Sequence, residues 1–195
     1  MGDKSVKKKQ YILTTARKVF MEKGFSAVTM KDIVDACEIS RGGLYLYFGS
    51  TDELFREVLK QESEETDDTF AGLIGENPTP SDILAVFLKE QKKELLHKGD
   101  SLTIAKYEYL FANGDVPKKD NYLRKQFESG VKVLTKLFES GNAAGEFSCE
   151  DPAGTARNFM YVIEGLKITS QTIGINEQTV DKELMFLMQG LGITN

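Results

Sequence analysis

The sequence predicts an all-α protein of about nine helices in two parts, a small amino-terminal three-helix domain and a larger helical body. Three observations carry this prediction. Apolar residues recur every three or four positions within successive segments between Ile12 and Leu191, and no useful length of chain alternates as a strand does. Helix punctuation recurs as well, with a cap residue followed by proline at Thr79-Pro80 and Asp151-Pro152. Charge is uneven: residues 1–50 hold nine Lys/Arg against five Asp/Glu (+4), and residues 51–195 hold sixteen against twenty-five (−9). The division that follows is 1–50 and 51–195, with a fourth helix as connector and the turn-rich Gly72–Pro80 stretch, GLIGENPTP, marking the practical break.

The first helix is expected from about Val6 to Lys23, with Ile12, Ala16, Val19 and Phe20 as its apolar stripe and Gly24 at the C-cap position. Thr29 opens a second helix, and Asp32 three residues later gives capping-box spacing. Met30, Ile33, Val34 and Cys37 form its inner face. Glu38-Ile39-Ser40 interrupts the pattern, and Ser40 can cap a third helix. In that helix Leu44 and Phe48 point inward, so Leu46 points away from the core, flanked by Tyr45 and Tyr47 with Gly42 and Gly43 exposed. Two glycines cost about 1 kcal/mol each in helix propensity. That cost, on a face of leucine and tyrosine, suits a helix lying against a surface that backbone must approach closely. A duplex major groove rimmed by phosphates is such a surface.

The Thr29–Phe48 stretch, TMKDIVDACEISRGGLYLYF, resembles the helix-turn-helix of the TetR/AcrR family of bacterial transcriptional regulators. Ile12, Ala16, Phe20, Gly24, Phe25, Thr29, Ile33 and Ala36 match the family pattern, followed by Ser40, Gly42, Leu44, Tyr45, Phe48, Ser50 and Leu54. The match covers about the first third of the chain; the remainder resembles the family in length and helical layout. The resemblance implies that Thr29 sits against a DNA phosphate. Many relatives carry lysine where this chain has Thr51, so one charge contact is lost there.

The DNA-binding candidates follow. Arg41 can reach a guanine edge or a phosphate, and Gly42 and Gly43 allow close backbone approach. Leu46 can meet a thymine methyl group, and Tyr45 and Tyr47 offer ring bodies and hydroxyls. Thr29, Lys31, Ser40 and Thr51 are backbone-positioning candidates. Lys7, Lys8 and Lys9 read two ways, as a track for an adjacent phosphate run or minor groove and as a solvated tail.

Beyond Gly49, Ser50-Thr51-Asp52-Glu53 has capping-box spacing and opens the fourth helix, with Leu54, Phe55, Val58 and Leu59 inward. The acidic run Glu62–Asp68 reads as a solvated helix end. A fifth helix from Pro80 has Leu84, Phe87, Leu88, Gln91 and Leu95 on one face; a sixth spans about Ser101 to Ala112; a seventh turns Leu123, Phe127, Val131, Leu134 and Phe138 inward and ends near Ser140-Gly141. Gly145–Phe147 reads as loop. The eighth runs from Asp151-Pro152 to about Ile173, with Phe159, Ile163, Leu166, Ser170 and Ile173 as its stripe and Met160, Tyr161, Val162 and Ile168 off it. Asn176 caps the last helix. A helix apolar on more than one side needs two partners, and the resemblance implies a homodimer joined through the last two long helices.

Catalysis finds little to work with. The one histidine, His97, stands at a charged helix end; no hydrolase, Walker or dinucleotide-binding pattern occurs; and two distant cysteines with one histidine make no zinc cage. No enzyme activity, metal or cofactor is expected. Cys37 reads as a small buried hydrophobe, with a redox switch as the other reading. No apolar run approaches the ~20 residues of a membrane span, and no signal-peptide core follows the basic start, so a cytoplasmic protein without a membrane partner is expected. The resemblance implies a small, hydrophobic effector in the body, where Tyr107, Phe111, Phe127, Phe138, Phe159 and Tyr161 are the lining candidates, and Glu108 and Glu164 could face a cation. The expected function is a homodimeric repressor released from a palindromic operator by that effector. The alternatives are a ligand-independent DNA-organising or cell-cycle protein, and a helical enzyme or adaptor without DNA binding.

Overall fold

The computed structural model describes residues 3–73, 76–97, 101–113 and 121–193, the side chains of 65–73 apart. Among the described residues there are nine helices and no strand: α1 (Asp3–Lys23), α2 (Met30–Cys37), α3 (Arg41–Tyr45), α4 (Thr51–Leu73), α5 (Pro80–Leu96), α6 (Thr103–Ala112), α7 (Tyr122–Ala144), α8 (Pro152–Gln171) and α9 (Glu177–Gln189). The chain packs as two compact units, Met1–Thr69 with Gly99–Gly114, and Phe70–Lys98 with Asp115–Asn195. The motif-based division at residue 50 therefore differs from the packing, which places most of α4 and all of α6 with the amino-terminal helices.

In the first unit, α1 buries Ile12, Leu13, Ala16, Val19 and Phe20 and stops at Gly24, whose φ of +75° favours a residue without a Cβ. Behind it stands a cluster of four rings. Phe55 lies 4.7 Å from Phe20, 5.1 Å from Phe25 and 5.3 Å from Tyr109, and Tyr109 meets Phe25 edge-on at 4.9 Å. Each buried ring contributes roughly 1.5–3 kcal/mol by leaving water. This cluster draws α6 onto the amino-terminal helices, a non-local choice that spacing along the chain does not announce. Polar contacts reinforce it. Glu108 accepts the Ser26 backbone N–H at 2.9 Å, and a Cβ added at Gly24 would lie 2.5 Å from the same carboxylate oxygen. Glu62, expected in a solvated acidic run, is instead a mostly buried bridge, 2.5 Å from Lys106 and 3.8 Å from Arg17. The Glu65–Asp68 side chains of that run lie outside the described residues.

In the second unit the core holds Leu84, Leu88 and Leu95 of α5, Val131, Leu134 and Phe138 of α7, Phe159 and Ile163 of α8, and Val180, Leu184 and Leu187 of α9. Thr79 and Asp82 form a full capping box with Pro80 at the first helical position, and Asp151 and Asn176 cap α8 and α9. Lys92 of α5 joins α9 through Glu177 at 2.8 Å and Asp181 at 2.6 Å. Two details differ from the sequence expectation. α7 runs on to Ala144 and stops at Gly145, whose φ is +74°, while Phe147 is buried with its ring 6.3 Å from Phe138. α8 ends at Gln171, so Ile173 leaves the stripe and is 86% exposed; Gly174, at φ +84°, turns the chain away just beyond it. α6 stops at Ala112 with Asn113 as its C-cap, where the sequence Asn113-Gly114-Asp115 and Pro117 reads as a break, and residues 114–120 lie outside the described residues.

Candidate nucleic-acid interface

The local chemistry of Thr29–Phe48 sets the face. Thr29 and Asp32 satisfy each other: the Thr29 hydroxyl accepts the Asp32 N–H at 3.3 Å, and the Asp32 carboxylate accepts the Thr29 N–H at 2.8 Å and its hydroxyl at 2.6 Å. Lys23 adds an ion pair at 2.6 Å. Lys23 above all, and then Thr29, hold the Asp32 carboxyl well below the usual carboxylate range. Ile33 and Cys37 are buried, and burial pushes the Cys37 thiol up. Glu38 makes the turn in the left-handed region, at φ +51°, its N–H bonding back to α2.

Ser40 then caps α3, its hydroxyl accepting the Gly43 N–H at 3.1 Å. The regular part of α3 is short, but Leu46, Tyr47 and Phe48 continue its winding by donating N–H bonds to Gly42 and Leu44. Leu44 and Phe48 are fully buried, while Leu46 is 84% exposed. Tyr45 is exposed under Arg41, whose guanidinium lies 5.6 Å from the ring centre. Tyr47 is half-buried and takes a 3.4 Å hydrogen bond from Ser5. A Cβ built on Gly42 would meet nothing within 4 Å, so nothing in the chain itself requires a glycine there. At Gly43 the same Cβ would meet Ser40 Oγ at 3.1 Å. Lys31 is exposed on α2. Thr51 begins α4, where Ser50 accepts the Glu53 N–H at 3.1 Å and Glu53 reaches back to the Gly49 N–H at 2.7 Å.

The ten DNA-binding candidates thus lie on α2 and α3, on the residues that cap or continue them, and at the start of α4. The six aromatic candidates fall into pairs. Tyr107 and Phe111, 6.4 Å apart, are on α6 in the first unit, and Phe111 is 82% exposed. In the second unit Phe138 and Phe159 pack 5.1 Å apart in the core, and Phe127 lies 5.0 Å from an outward-facing Tyr161, the two rings tilted by 36°. Glu108 serves Ser26 and Glu164 lies 3.6 Å from Lys167. His97 caps α5, its Nδ1 2.7 Å from the Lys93 carbonyl. Among the described residues no group of His, Cys, Asp and Glu could hold a metal ion, and no helix is long and apolar enough to cross a membrane. Cys149 is buried, its backbone held by the Asn142 amide at 2.8 and 2.9 Å. The Glu62–Lys106–Arg17 and Glu108–Ser26 contacts escaped sequence reasoning, although Gly24 was a signal that something needed its space.

Two helices held across a tight turn, the second presenting an apolar and glycine face to solvent, define a helix-turn-helix DNA-binding protein. Comparison with known proteins narrows this. Residues 12–58 match the family model described as bacterial regulatory proteins, tetR family, and residues 83–181 match a tetracyclin repressor-like C-terminal domain. The chain is 32% identical over 166 residues to the HTH-type transcriptional regulator YfiR of Bacillus subtilis, covering 82% of this chain and 78% of that one. It is 30% identical over 100 residues to the transcriptional repressor AcnR of Corynebacterium efficiens, 47% of this chain and 53% of that one. A TetR transcription regulator from Haloarcula marismortui shares the fold with a TM-score of 0.81 at 16% identity, over 95% and 97% of the two chains. The protein belongs to the TetR family of transcriptional regulators.

Proposed function

We propose that this regulator is a cytoplasmic homodimeric repressor, released from a palindromic operator by a small, hydrophobic ligand. One observation carries the reading: Leu46, Tyr45 and Gly42 are left to solvent on a helix whose inner side is fully packed. In this reading Arg41 meets a guanine edge or phosphate, Leu46 a thymine methyl, and Gly42 and Gly43 bring backbone close. Tyr45, Tyr47, Thr29, Lys31, Ser40 and Thr51 position the backbone. Because the Thr29 hydroxyl already serves Asp32, its phosphate role is secondary to its cap. Exposed Tyr161, Met185 and Phe186 on α8 and α9 support a dimer through those helices, and the repressor sign is supported by AcnR. The domain division 1–50 and 51–195 is retained as a functional one, with Thr51 at the head of α4 the one reading candidate beyond it.

Selection of bound fragments from random DNA tests this. A palindrome with half-sites about one turn apart is expected, with binding lost in both Tyr47→Ala and Gly43→Glu while helicity is kept. Unchanged affinity in both variants would remove the assigned face. The ligand-independent reading has one observation in its favour, the tight Phe138–Phe159 packing in the core. A panel of apolar small molecules separates the two: release of DNA with a rise in Tm supports the first, and no response from any member the second.

A further inference from the structure

The lysine run at the amino end is part of a helix, and the geometry separates its members. α1 begins at Asp3, so Lys7, Lys8 and Lys9 project about 100° apart around one axis and serve different neighbours. Lys9 turns toward the protein. Its ammonium lies 2.7 Å from Glu57 of α4 and 5.6 Å from the centre of the Phe48 ring, so it ties α1 to both α4 and the end of the reading helix. The Glu57 carboxyl is held below its usual range by that contact. Lys7 pairs with Asp3 at 3.1 Å, well out in solvent. Lys8 is exposed, and its ammonium comes beside α3: a Cβ built on Gly43 would stand 3.8 Å from Lys8 Nζ. One turn earlier, Ser5 reaches the Tyr47 hydroxyl. The first two turns of α1 are therefore docked along the reading helix.

We infer that these turns are a built part of the DNA interface, with Lys8 the phosphate contact and Lys9 an internal tether that touches no DNA. This rests on the DNA-binding reading above. An ammonium is a compact point charge, tolerant of geometry and blind to sequence, so its contribution is to affinity and salt dependence.

The test titrates the full-length protein and its Lys8→Gln, Lys8→Arg, Lys7→Gln and Lys9→Gln variants by fluorescence anisotropy. Two duplexes of equal length are used, one carrying the selected operator and one unrelated, between about 50 and 200 mM salt. Lys8→Gln is expected to reduce the slope of log Kobs against log salt by about 0.9 per engaged protomer and to weaken both duplexes by the same factor. Lys8→Arg should keep the slope, and Lys7→Gln and Lys9→Gln should leave it unchanged, with a lowered Tm for Lys9→Gln. An unaltered slope in Lys8→Gln, or an equal loss of slope in Lys9→Gln, overturns the inference. A wild-type protein that binds neither duplex overturns the parent reading and this inference with it, and the wild-type titration alone identifies that case.

Discussion

Two parts of the surface hold apolar side chains in water, and they differ in what surrounds them. On α3, Leu46 and Tyr45 stand with Arg41 over the Tyr45 ring and Lys8 beside Gly43, while Asp32 and Glu53 are occupied with Lys23, Thr29 and Gly49. On α9, Met185 lines a shallow hollow of about 590 Å³ together with Glu177, Asp181 and Lys182, and Ile173, just past the end of α8, lines another with Thr169 of α8 and Glu183 of α9. An apolar face bordered by cations suits a polyanion. An apolar face bordered by both signs, with Lys92 already pairing Glu177 and Asp181, offers a polyanion little and suits a protein surface of matching pattern. Exposed apolar area does not say what would cover it; the border charges narrow the choice.

The largest effect should come from reversing a border charge. Arg41→Glu replaces the cation at the start of α3 with an anion which, in the proposed interface, would stand against the duplex. A loss of at least about 100-fold in operator affinity is expected, roughly 3 kcal/mol, with the oligomeric state unchanged by light scattering. Retained affinity would break the comparison at its first half. Next comes Phe186→Glu on α9, where the side chain is 55% exposed. A charge placed in an apolar contact should weaken self-association by roughly 10- to 100-fold, about 1.4–3 kcal/mol. Sedimentation at several concentrations reads this directly. A wild-type monomer, or a dimer indifferent to the change, would break the second half.

How much of this was legible follows from how local each feature is. The caps at Thr29, Ser40, Thr79, Asp151 and Asn176 stand where the sequence placed them, because a cap needs only its own hydroxyl, carboxylate or amide oxygen and an N–H three residues on. The burial of Leu44 and exposure of Leu46 follow from 100° per residue alone. Ile173 was misplaced because a stripe was extended through Thr172, although Gly174 offered a stop signal. What stayed hidden is non-local. Tyr109 packs on Phe25 and Phe55, so α6 joins the reading helices, and nothing near Tyr109 in sequence states which rings it will meet. Likewise Lys7, Lys8 and Lys9 are equivalent as text; Glu57, forty-eight residues beyond Lys9, tells them apart.

A smaller effect sharpens the first half. Gly42→Ala meets no obstacle within the chain. Added helix propensity should raise stability by up to about 1 kcal/mol, yet a methyl group between backbone and duplex should weaken operator binding about tenfold, or 1.4 kcal/mol. Urea unfolding and anisotropy on the same variant would show the two moving in opposite directions. Gains in both would mean that the glycine is not needed for close approach.

The smallest effects compare the caps beneath the two faces. Thr29→Ala and Asn176→Ala should each cost about 1 kcal/mol of stability, but only the first should lower operator affinity, by a few-fold, with Thr29→Ser restoring both. Acid separates them further. The folded Asp32 carboxyl titrates below its ordinary value, so its stabilising contribution is present above the unfolded value of about 3.9 and is lost as pH falls below it through the folded one. Wild-type stability should therefore decline below about pH 4 more steeply than that of Asp32→Asn, which has no such proton to bind. Parallel acid profiles for the two would show that Lys23 and Thr29 do not hold this carboxylate in solution, and α2 would then enter the reading face without its anchor.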